Sequence, residues 1–116
     1  MNMRDIFHIY GTEGFEMTQI LLKAIKPEKL IPAQSSTIAI KPNLVVAAKP
    51  EGGATTHPEI VIAIIEYLKE RGFHNISIVE SAWVGDSTKR AFEVNGYYAI
   101  SSKYDVPLVD VKDDAY

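Results

Sequence analysis

The chain has 116 residues, 47% of them hydrophobic, which suits one globular domain but is small for a complete α/β enzyme. A formal charge of −3, from 12 basic and 15 acidic residues, favours neither nucleic acid nor an anionic membrane as a partner. With no cysteine, disulfides, zinc–thiolate sites and iron–sulfur ligation are excluded within the chain. No segment reaches the roughly 20 apolar residues of a membrane span, and the start lacks a signal-peptide apolar region, so the cytoplasm is the expected location.

Residues 6–10, Ile-Phe-His-Ile-Tyr, read as a first strand closed by Gly11. From about Glu13 to Lys26, Phe15, Ile20, Leu21, Ala24 and Ile25 recur at near-helical spacing, and Pro27 stops them. A small polar connector, Gln34-Ser35-Ser36, leads to the β-branched second strand, residues 37–41. A glycine-rich loop precedes a second helix from Pro58 to Arg71, with Gly72 as a C-cap candidate. Residues 76–80 make a third strand. A third helix starts near Ser87 and runs towards Asn95-Gly96, a helical turn covers 100–104, and residues 106–111 supply a fourth strand.

That alternation predicts a three-layer, Rossmann-like α/β domain with a mostly parallel sheet of about four strands. Two open sheet edges and a polar tail from Lys112 to Tyr116 suggest the leading part of a longer protein or a subunit that pairs. A homo-oligomer or a further C-terminal domain is therefore expected.

Ligands of open α/β sheets bind beyond the carboxyl ends of the strands. Lys41, Asn43, Glu80 and Asp110 fall there in this reading. Lys41 ends an apolar strand beside a glycine-rich loop, which makes its ammonium a ready partner for an anion. Asn43 either takes a left-handed turn or offers its amide to a ligand. In the loop, Gly52 and Gly53 free the backbone to turn amides inward, while Thr55, Thr56 and His57 add side-chain donors. Thr56 and Glu59 also fit a capping box with proline in the first turn. His57 caps poorly, which leaves an oxyanion, a metal or a neighbouring loop as its partner.

Glu80 and Asp110 with Lys41 could bind a divalent cation, move protons or form an ion pair, the ion pair being the cautious reading. Ser81 follows Glu80 at the same edge. Asp86, Ser87 and Thr88 read as a helix N-cap that also presents amides and hydroxyls to an anion. Trp83 either stacks on a planar ligand or covers a core edge. His8 reads as structural, His74 as exposed, and Tyr97, Tyr98 and Tyr104 as a packing cluster. No nucleophile elbow, Walker loop or dinucleotide fingerprint is present.

Ile40-Lys41-Pro42-Asn43-Leu44-Val45, then Gly53-Ala54-Thr55-Thr56-His57-Pro58-Glu59, then Val79-Glu80-Ser81 with Gly85-Asp86-Ser87-Thr88, together resemble the domain-of-unknown-function family 362. The resemblance runs from the second strand to the last. It implies an α/β fold, and some relatives carry cysteine-rich iron–sulfur segments for which this chain has no ligands. The layout is also similar, in architecture only, to the N-terminal domain of nickel-pincer lactate racemases. The resulting expectation is a small anionic ligand, a carboxylate or phosphate compound, held at the strand ends, with a divalent metal as an option. In an enzymatic version Lys41 would stabilise negative charge, and His57 or Glu80 would move protons. The rival expectation is a non-catalytic assembly module that docks on a partner in a larger protein, a redox protein being one option.

Overall fold

A computed structural model describes residues 4–44, 46–82 and 87–111. Its elements run α1 (Gly14–Ile25), β1 (Ile38–Ile40), α2 (Pro58–Glu70), β2 (Ile76–Glu80), α3 (Thr88–Val94), α4 (Tyr97–Tyr104) and β3 (Leu108–Asp110). Short 3-10 turns sit at Pro27–Leu30 and Pro50–Gly52. The strands form one parallel sheet in the order β1-β2-β3, so the fold is α/β and consistent with the three-layer Rossmann-like class. Helical segments separate each pair of strands, which is what parallel pairing demands.

Alternate residues of β2 explain where the core lies. Ile76, Ile78 and Glu80 are buried on one face, while Ser77 and Val79 are half-buried on the other. Val61, Ile65 and Leu68 of α2, Phe92 of α3 and Ile100 of α4 join Ile76 and Ile78 in one apolar cluster. Complete burial of an isoleucine such as Ile65 or Ile78 contributes about 1.5–3 kcal/mol. Gly72 ends α2 at φ 88, a left-handed position that suits glycine, and its N–H donates to the Lys69 carbonyl.

Three expectations need correction. Residues 6–10 form no strand: their main chain makes no hydrogen bond, and Ile6 and Tyr10 are 93% and 86% exposed. Strand-forming residues favour an extended chain, but a strand also needs a hydrogen-bonded neighbour, and this segment pairs with none of the three strands. The sheet therefore has three strands among the described residues. The last helical region is larger than the turn expected at 100–104, because α4 begins at Tyr97 directly after the left-handed Gly96. The three tyrosines do not form one cluster: Tyr97 is buried, Tyr98 is exposed, and the Tyr104 hydroxyl donates to Glu66 at 2.8 Å.

Among the described residues, no helix is long and apolar enough to cross a membrane.

Candidate site at the carboxyl rim of the sheet

The chain leaves β1 through Lys41, Pro42 and Asn43, and Asn43 adopts φ 57. Asparagine tolerates that left-handed geometry, so the turn, one of the two readings open for Asn43, is present. The turn folds the Lys41 ammonium back to 2.6 Å from Asn43 Oδ1 and 3.5 Å from Glu80 Oε1. The ion pair anticipated between Lys41 and a strand-end carboxylate is thus Lys41–Glu80.

Glu80 ends β2 with its side chain 1% exposed. A buried carboxylate must have its oxygens hydrogen-bonded, and both are. Oε2 accepts from the Leu44 N–H, and Oε1 accepts from the Ser81 N–H at 2.8 Å. Glu80 therefore pins the turn after β1 to the end of β2. Asp110, its register partner on β3, lies half-buried alongside.

Leu44 in turn makes an antiparallel bridge with Thr55, which closes the intervening loop on itself. The Ala48 carbonyl inside this loop accepts from the Thr55 hydroxyl at 3.4 Å and from Asn95 Nδ2 at 3.1 Å. Asn95 also donates to the Ala91 carbonyl at 3.0 Å, so the loop is tied to the end of α3. Thr88, buried at the start of α3, accepts the Ala82 N–H on its hydroxyl at 2.9 Å. Ser87 is the N-cap of α3 and accepts from the Arg90 N–H at 3.3 Å, as its position suggested. Asp86 and Trp83 lie outside the described residues.

The glycines of the loop serve the loop itself. The Gly52 N–H donates to the Lys49 carbonyl at 3.2 Å and the Gly53 N–H to the Pro50 carbonyl at 2.9 Å. The expected inward-facing amides are spent on a 3-10 turn, which Gly53 leaves at φ 83. The capping box is also absent. His57, not Thr56, is the N-cap of α2, without a side-chain cap bond, because Pro58 at the first helical position holds its predecessor extended. His57 Nδ1 instead lies 3.5 Å from Glu59 Oε1, and that carboxylate already complements the positive end of α2. Thr12, Gly14, Met17, Glu59 and Ile60 line a cavity of about 170 Å³ with His57.

Tyr97 is the residue that sequence reasoning treated only as packing. Its ring is fully buried against Phe92, with centroids 5.8 Å apart, and its hydroxyl has no hydrogen-bond partner. Burial, then the negative charges of Glu80 and Glu59, push the phenol pKa well up, so it stays protonated. Asn95 Oδ1 is the second buried polar atom without a partner. Nothing in the spacing of Asn95 or Tyr97 signals this, since it depends on how α3 and α4 meet the loop. Among the described residues, no group of three or more histidine, aspartate or glutamate side chains could hold a metal ion.

The family model described as "Domain of unknown function (DUF362)" matches residues 38–116, the stretch that holds every rim residue named above. The chain belongs to this family. A 1,4-alpha-glucan branching enzyme, GlgB, from Synechococcus sp. (strain WH7803) is 34% identical over 59 residues. That overlap covers 51% of this chain and 8% of the GlgB protein, so glucan branching is not carried over from it. No solved structure matches the chain, and the architectural likeness to lactate racemases is carried no further.

Proposed function

We propose that this family member binds a small anionic ligand, a carboxylate or phosphate compound, at the carboxyl rim of its sheet. The observation that carries the reading is the Lys41 ammonium, whose side chain is 57% exposed yet held by Asn43 and Glu80. An ammonium has three donors, so these two acceptors can fix it and leave one donor for a ligand. A fixed cation loses little freedom on binding, which favours affinity.

Glu80 is a positioning residue in this reading, since the Leu44 and Ser81 amides occupy its oxygens from within the protein. If the rim is catalytic, Lys41 is the group that stabilises developing negative charge. His57, exposed and oriented by Glu59, is the group that exchanges a proton. Gly52 and Gly53 take no direct part, and a cytoplasmic setting accompanies the proposal.

Calorimetric titration with inorganic phosphate and short carboxylic acids tests it. Loss of one charged hydrogen bond, about 1.5–3 kcal/mol, corresponds to a weakening of roughly ten- to a hundredfold in Lys41→Ala. Equal affinity in the wild type and a folded Lys41→Ala variant would reject the role of Lys41.

A further inference from the structure

The segment before α1 lies outside the family match and outside the sheet. It carries no regular secondary structure, and its His8 and Tyr10 rings stand 4.5 Å apart, a contact that residues two apart on one face of an extended chain can make. Ile6, His8 and Tyr10 are exposed on that face, and Phe7 and Ile9, on the other, are better covered. From Ile6 to Gly11 the main chain makes no hydrogen bond. Five strand-forming residues with unpaired amides and carbonyls and no charged side chain form an open template for another chain.

The order of side chains says which chain. If two copies of the segment align antiparallel about a two-fold axis through His8, Ile6 lies opposite the partner's Tyr10, and Phe7 opposite the partner's Ile9. Both are aromatic–β-branched pairs, a favourable combination across antiparallel strands. The segment is thus self-complementary on both faces, which a two-fold interface requires. We infer that residues 6–10 form an arm that joins two copies of this chain by antiparallel pairing centred on His8.

The absence of cysteine makes the register testable in the full chain. At the axis, residue 8 faces its own counterpart with Cα atoms about 4.5–5.5 Å apart, inside the range a disulfide spans. Residue 6 lies about 13 Å from its counterpart, four residues along the strand, beyond that range. Sedimentation equilibrium of the wild type should show a concentration-dependent dimer. Under mild oxidation, His8→Cys should form a disulfide-linked dimer at least about tenfold faster than Ile6→Cys, because only one pair of thiols is in register. Mixing Ile6→Cys with Tyr10→Cys should give the mixed dimer. Circular dichroism should be unchanged, since all three positions are exposed. A wild type that is monomeric at every concentration, or equal cross-linking of His8→Cys and Ile6→Cys, would overturn the arm-to-arm dimer. So would a dimer in which His8→Cys does not cross-link.

Discussion

The two ends of the sheet handle polar groups in opposite ways. Where the strands begin, Glu28 accepts from the Tyr67 hydroxyl at 2.6 Å and from Arg71 Nε at 3.0 Å. The Arg71 guanidinium also lies 3.4 Å from the Tyr67 ring centre. Asn75 donates there to the Thr37 hydroxyl at 3.0 Å, beside the first residues of β1 and β2. Donors and acceptors in this group satisfy one another, and it fastens the turn after α1 to the end of α2. At the carboxyl rim, Glu80 is equally well bonded, but Asn95 Oδ1 and the Tyr97 hydroxyl have no partners and the Lys41 ammonium opens to solvent. Among the described residues, both orphaned buried side-chain atoms belong to this end. Unspent polar capacity costs stability, so its confinement to the rim separates a structural staple from a candidate site.

Breaking Glu80 should have the largest effect. Glu80→Ala leaves the Leu44 and Ser81 amides unpaired, at about 1–3 kcal/mol for each that stays dry. Chemical denaturation should show that loss, and a change below the cost of one amide would mean water replaces the carboxylate. Next comes the staple. Glu28→Gln should cost on the order of 1.5–3 kcal/mol, the worth of a hydrogen bond to a charged group.

That staple also predicts a pH dependence. Desolvation raises the Glu28 pKa, but the hydrogen bonds from Tyr67 and Arg71 outweigh it, and the net direction is down from 4.5. A carboxyl lowered in the folded state contributes fully above its unfolded value and loses that contribution as pH falls through the folded one. Thermal melts from about pH 7 to about pH 3 should fall more steeply in wild type than in Glu28→Gln. Parallel curves would show that Glu28 contributes no such linkage.

At the rim, Tyr97→Phe removes a hydroxyl with no partner, so stability should hold or rise by about 1 kcal/mol. A clear loss would mean that the hydroxyl finds a partner in solution. Lys41→Ala takes the counter-charge from the buried Glu80, and because the Leu44 and Ser81 amides still hold that carboxylate the loss should stay at about 1 kcal/mol on the same denaturation measurement. A larger loss would make Lys41 part of the staple logic.

Sequence alone located the three strands that pair and the helix α2, because apolar runs bounded by proline and glycine carry that information locally. Asn43 and Ser87 were legible for the same reason: a turn and an N-cap depend on a few neighbouring residues. The segment at 6–10 was misread because strand-forming residue types say nothing of what the chain would pair with. Gly52 and Gly53 read as freeing the backbone to turn amides inward, yet the Lys49 and Pro50 carbonyls take those amides in a tighter turn. The partnerless hydroxyl of Tyr97 was invisible, since it results from three elements meeting.

Amide NMR during titration with inorganic phosphate tests the rim most directly. Progressive, saturable shifts confined to Asn43, Leu44, Ser81 and their neighbours are predicted, and they should vanish in Lys41→Ala. Shifts centred instead on the cleft of about 500 Å³ between α1 and α2, where Phe15, Lys23 and Glu66 meet, would contradict the proposed site. So would a rim that does not respond at all.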